Sequence, residues 1–195
     1  MKTIDHMLLG VYLLARHQNP PLQSHRRAFL LGCIAPDHNL LSYLRRIPHW
    51  EKFRGHNAEN SFGFLMRGTA ELHETGLRFT WDYFRLGTLL HYAADAFTAP
   101  HNRFWHGTLY EHLAYEQALH AKFPAALLQG HMLGYSGFVS LHEEYCAETH
   151  GMDTDYQYIL TACTALLQQC LFRTVEMKGV CHESSDHNRL VPASH

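Results

Sequence analysis

Two histidine–carboxylate pairs, His91-x-x-x-Asp95 and His112-x-x-x-Glu116, stand on either side of His101, which follows a proline. At 3.6 residues per helical turn, the members of each pair share one face about a turn apart. Imidazole beside carboxylate suits zinc, and two such helices facing each other can hold more than one ion. Taken alone, His91–Asp95 reads equally well as a buried hydrogen-bonded pair. Its surroundings favour a metal: Gly87, Thr88, Ala94 and Thr98 share its face and leave room for ions and substrate. The bulky Trp81, Phe84, Leu89, Tyr92 and Phe97 fall mainly on other faces. A carboxylate buried among apolar helices is costly unless paired or metal-bound, and a bound cation removes that cost. Further ligand candidates are His6 in the first helix, Asp37 in a Pro-Asp segment and His56 in Arg54-Gly-His-Asn57.

These residues require helices to position them, and helical periodicity dominates the chain. The spacing predicts a helix over 3–17, stopped before Asn19-Pro20-Pro21, and a second from a Ser24 cap to Gly32. A loop follows over 32–39, where Pro36 and the Asp/Asn cluster break the pattern, and 40–55 is irregular or short-helical. A third helix spans 57–74 before Gly76. A fourth runs over 81–98 from a Thr80 cap, ending before Pro100. The Thr108–Glu111 capping box opens a fifth, which ends before Pro124. Helices over 125–149 and 153–178 complete an all-α fold, with no period-two strand pattern. Residues 1–178 are expected to form a single domain and 179–195 a polar, frayed tail.

Composition sets bounds on function. With 195 residues the chain can bury a real core. A formal charge of -2 supplies no basic field for sequence-blind binding to long nucleic acids. Eighteen histidines among these residues put metal chemistry first. The five cysteines form no C-x-x-C pair, and an odd count is a poor disulfide framework. Cys163 and Cys170, seven apart on an apolar pattern, read as core packing. The expectation is a reduced, cytoplasmic protein without a secretion signal or membrane span.

The ordered set His6, Pro36-Asp37, His56, His91-x-x-x-Asp95, His101 and His112-x-x-x-Glu116 resembles the zinc-dependent phospholipase C family, whose structural relatives include the single-strand-specific zinc nucleases. The similarity spans roughly residues 3 to 122. The resemblance implies that Asp37, His56, His91 and Asp95 hold one zinc and that His101, His112 and Glu116 hold a second. His6 and a bridging Asp95 would contribute to a third. The secreted phospholipases complete that third site with the amino group and carbonyl of an N-terminal tryptophan. Here the first residue is Met1, so the third site would be weaker, filled by water, completed by the amino terminus, or absent.

A centre with three acidic ligands and two or three Zn²⁺ ions stays net positive and complements a phosphate ester. The expected function is phosphodiester hydrolysis by a zinc-activated hydroxide, with Asp37 as base. Phospholipid headgroups follow from the resemblance, while the residues by themselves specify only a small phosphate ester. Iron or manganese would also suit these ligands. Arg54, Asn57, Asn102, Arg103 and Trp105 adjoin the ligands and are the candidate substrate contacts, with Phe104 and Tyr110 able to line the pocket mouth. Alternatives are a non-catalytic metal-binding or interaction protein and a nuclease-like phosphoesterase acting on small nucleotide esters. His120 reads as an outer or solvent-facing residue, His142 as part of a solvated face, and His49 as a weaker competitor of His56.

Overall fold

The computed structural model describes residues 1–38, 58–148 and 151–183. Among them run eight α-helices and one short 3₁₀ turn, with no strand. The helices are α1 (Thr3–Arg16), α2 (Pro20–Ser24), α3 (Arg26–His38), α4 (Ala58–Thr75), α5 (Thr80–Ala96), α6 (Leu109–Gln129), α7 (Phe138–Ala147) and α8 (Met152–Glu183). The 3₁₀ turn is Ala99–His101. Of the residues read from sequence, His49, Arg54, His56 and Asn57 lie outside the described residues.

Helix α5 is the axis of the fold. Beyond its first turn it is buried on almost every side, through Leu86, Gly87, Leu89, Leu90, His91, Ala93, Ala94, Asp95 and Ala96. It packs against α3, α4, α8 and α1. Burying a leucine or phenylalanine contributes about 1.5–3 kcal/mol, and the surrounding helices supply many, including Leu13, Leu22, Phe29, Leu65 and Leu167. On α1 the stripe His6, Leu9 and Leu13 faces inward, so the hydrophobic face that docks the helix also carries His6 into the interior.

Several boundaries differ from the sequence expectation for identifiable reasons. Helix α3 does not stop at Gly32 but continues through Pro36 to His38. A mid-helix proline clashes with and leaves free the carbonyl four residues back, here Gly32. The Thr88 hydroxyl, whose nearer acceptor is the Phe84 carbonyl at 3.1 Å, lies 3.5 Å from that carbonyl. Thr80 is the first residue of α5 rather than its cap. The Asp82 carboxylate reaches back to the backbone N–H groups of Arg78 and Phe79 at 2.9 and 2.8 Å. Helix α6 opens on the expected Thr108–Glu111 box but passes through Pro124, with Phe123 and Leu127 buried on either side. It ends at Gly130, whose φ of 63° supplies the left-handed cap. The expected single helix over 125–149 is therefore two, separated by a segment holding Gly134 and Gly137. Gly87 does not leave space for substrate as its small size suggested, because it is filled by contact with α3.

Candidate metal centre

Glycines set the position of the centre. A Cβ on Gly87 would fall 2.1 Å from the Phe29 carbonyl oxygen, and one on Gly32 would fall 2.0 Å from that of Phe84. Helices α3 and α5 thus cross backbone to backbone. The crossing places the Cys33 carbonyl 2.8 Å from His91 Nδ1 and Asp37 Oδ1 3.5 Å from His91 Nε2. Asp95, one turn beyond His91, brings Oδ2 to 3.4 Å from the same nitrogen.

From Asp95 the cluster extends to the other elements. His6 on α1 sets Nε2 3.2 Å from Asp95 Oδ1 and stacks on His91 with ring centroids 3.7 Å apart. His101, in the 3₁₀ turn, has Nε2 3.8 Å from Asp95 Oδ2. Its ring stands edge-on to His112, centroids 5.2 Å apart, and His112 Nε2 lies 3.3 Å from Glu116 Oε1. The structure therefore brings together His6, Asp37, His91, Asp95, His101, His112 and Glu116. The ligand atoms of His6, His91 and Asp95 all lie within 4.8 Å of one another, a candidate ion site between helices. Side-chain exposure grades from 1% at His6 and 4% at Asp95, through 11% at His101, to 17% at Glu116, 19% at Asp37 and 29% at His112.

The hydrogen-bond network fixes imidazole tautomers. A carbonyl only accepts, so His91 Nδ1 donates to Cys33 and the neutral ring carries its lone pair on Nε2. The Thr98 hydroxyl donates to the Asp95 carbonyl at 2.8 Å, so at 2.7 Å it accepts from His101 Nδ1. Both rings thus turn Nε2 lone pairs toward carboxylates, an arrangement that a cation satisfies. The buried Nδ1 of His6 and Oδ2 of Asp37 have no hydrogen-bond partner among the described residues. This donor set, imidazole nitrogens with carboxylate oxygens, fits zinc.

Electrostatics agree. Burial, with His91 alongside, pushes His6 down to about 4. Burial likewise takes His101 down to about 3. Both are neutral at pH 7, the form that ligates metals. Burial by itself would raise the Asp95 carboxyl, but His101, the Met1 ammonium, His6 and His91 hold it well below the usual carboxylate range. At neutral pH the ammonium is the charge that counts among these. It lies buried 2.9 Å from Asp95 Oδ1 and 3.4 Å from Glu116 Oε1. Glu116 is held down to about 2, against its burial, by His112 and this ammonium.

Other sequence-selected residues have different surroundings. Asn102 is buried, its amide donating to the Ala96 and Thr98 carbonyls, both at 2.9 Å. Its oxygen meets His142 Nε2 at 2.9 Å. It braces the turn, and its amide protons are engaged within the chain. His142 is accordingly half-buried rather than solvated. Arg103 is exposed and Trp105 half-buried, the indole packing edge-on to Tyr115 with centroids 5.8 Å apart. His120 does not face solvent alone: its Nδ1 lies 2.6 Å from the buried Asp5. Sequence reasoning missed the Cys33 carbonyl and Thr98, which orient the histidines. A backbone oxygen carries no residue signature, whereas a threonine three residues before His101 was a legible hint.

The sequence pattern of the zinc dependent phospholipase C family matches residues 5–172, most of the chain. The protein belongs to this family of zinc-dependent phospholipase-like hydrolases. No curated protein and no solved structure matches it. No helix among the described residues is long and apolar enough to cross a membrane.

Proposed function

We propose that the protein hydrolyses phosphodiester bonds, with phospholipid headgroup esters or similarly small phosphate esters as substrates. Two or three zinc ions would be held by His6, Asp37, His56, His91, Asp95, His101, His112 and Glu116. The observation that carries this reading is the convergence of Asp37, Asp95 and Glu116 on histidines whose Nε2 atoms face them. When bound there, zinc lowers the pKa of coordinated water toward neutrality and offsets negative charge on a phosphoryl group.

Asp95 faces His6, His91 and His101 at once and would be the carboxylate shared between ions. Asp37 stands on the more open side, one oxygen toward His91 and the other without a hydrogen-bond partner among the described residues. It orients the attacking water and takes its proton. His101, His112 and Glu116 support the side where the leaving oxygen departs. His6, with Asp95, would contribute to a third position. Arg103 and Trp105 supply charge and an aromatic face for the headgroup, while Arg54 and Asn57 keep their assignment by sequence position. A reduced cytoplasmic setting rests on the cysteine pattern, an odd count without a C-x-x-C pair.

The test is metal content by mass spectrometry, followed by hydrolysis of an aryl phosphodiester and of short-chain phosphatidylcholine before chelation, after it, and after zinc is restored. At least two zinc ions per chain and cleavage that follows zinc are expected. Tightly held zinc with neither ester cleaved would leave a metal-binding protein without this activity.

A further inference from the structure

A carboxylate outside the centre is buried with no ion-pair partner among the described residues. Asp155, in the first turn of α8, is 1% exposed. Two tyrosine hydroxyls donate to it, Tyr145 to Oδ1 at 2.7 Å and Tyr115 to Oδ2. Tyr115 in turn accepts the backbone N–H of Ala99 at 3.4 Å. Burying a carboxylate for packing alone is unfavourable, since an apolar residue of similar volume would fill the space without desolvation cost. What distinguishes this one is where the chain of bonds leads. Tyr115 lies on α6 between His112 and Glu116, and Ala99 lies between Asp95 and His101. The bonds therefore join the two elements that carry His101, His112 and Glu116, which also meet through the edge-on contact of the two imidazoles.

We propose that Asp155 is a positioning residue: through Tyr115 it fixes the Ala99 turn against α6 and so sets the separation of His101 from His112 and Glu116. The carboxylate suits this task because it only accepts. Both tyrosines must donate to it, which leaves the Tyr115 oxygen lone pairs to take the Ala99 amide. An asparagine would present N–H to one hydroxyl and disturb that order. The proposal rests on the reading of these three side chains as zinc ligands.

Three variants separate positioning from plain stability. Tyr115→Phe removes the hydroxyl that reaches Ala99 and keeps the ring. Tyr145→Phe removes the other hydroxyl and leaves Tyr115 joined to Asp155. Asp155→Asn disturbs both. Zinc affinity, measured by competition with a chromophoric chelator, should fall at least about tenfold in Tyr115→Phe and Asp155→Asn, the range typical of outer partners. It should stay within about threefold in Tyr145→Phe. In the metal-free protein, amide exchange at His101 and Asn102 should accelerate in the first two variants only. Equal zinc affinity and equal exchange in both Tyr→Phe variants would overturn the proposal, whatever their melting temperatures, and this comparison stands even if Asp155→Asn fails to fold. Should the wild type take up no zinc, the reading of the centre fails, and exchange at His101 and Asn102 still decides whether Asp155 holds the turn.

Discussion

Gly32 and Gly87 face each other where α3 and α5 cross, each closer to the other helix's backbone than any side chain allows. This contact holds Cys33 and Asp37 against His91, so one packing feature supports a ligand, its orienting partner and a neighbouring carboxylate. Gly87→Ala should destabilise the fold by about 3 kcal/mol or more, at the upper end for overpacking, because backbone rather than a flexible side chain blocks the methyl. Gly63→Ala, whose added carbon would meet only the Arg67 guanidinium at 3.6 Å, should be neutral or slightly stabilising. Urea unfolding midpoints check the pair, and a Gly87→Ala protein as stable as wild type would refute the close crossing.

Thr98 fixes the His101 tautomer. Thr98→Val keeps the shape and removes the acceptor for Nδ1–H, so zinc affinity should fall about 10–100-fold, while Thr98→Ser should restore most of it. Chelator competition gives the answer directly. Unchanged affinity in the valine variant would mean that the ring holds its orientation without the hydroxyl.

Asp95→Asn tests the shared carboxylate. The substitution should remove at least one zinc per chain and abolish turnover, and it should also deprive the Met1 ammonium of its nearest partner. Metal counting on the purified variant is the measurement. Retained zinc and retained hydrolysis would refute the bridging role.

Acid should weaken the metal-free protein. His6 and His101 sit at about 4 and about 3 in the folded state against 6.5 ordinarily. Between those values and 6.5 the unfolded chain binds more protons, so stability is complete above pH 6.5 and is lost as pH falls toward 4 and then 3. Asp155 runs the other way. Burial raises it to about 6 from 3.8, so its contribution is greatest below pH 3.8 and is lost as pH rises through 6. Two groups outweigh one, and urea midpoints should decline from pH 7 to pH 4. A flat profile would contradict the buried neutral histidines.

The helical class and the pairing of His91 with Asp95 and of His112 with Glu116 were legible in sequence because both depend on local spacing. His91–Asp95 and His112–Glu116 are i,i+4 pairs that any helix must align. The Thr108–Glu111 box marked the start of α6 through the chemistry of two side chains. Errors arose where tertiary contact overrides a local rule. Pro36 and Pro124 read as breaks, yet α3 has Thr88 at its freed carbonyl and α6 has Phe123 and Leu127 anchored in the core. Gly87 read as vacant space because one strand of sequence does not reveal its opposite number, Gly32. Asp155, Tyr115 and Tyr145 were invisible for the same reason, their partners lying 40 and 10 residues away along the chain.

The gradient from the sealed His6–His91–Asp95 floor to the accessible His112–Glu116 rim imposes an order of traffic. If two ions bind as proposed, the inner one would lie behind the more exposed ligands among the described residues, so a chelator should draw ions out in two kinetic phases, the rim emptying before the floor. The deep ion would then behave as a resident of the folded chain, and the shallow one as a visitor whose occupancy follows the zinc supplied by the surroundings.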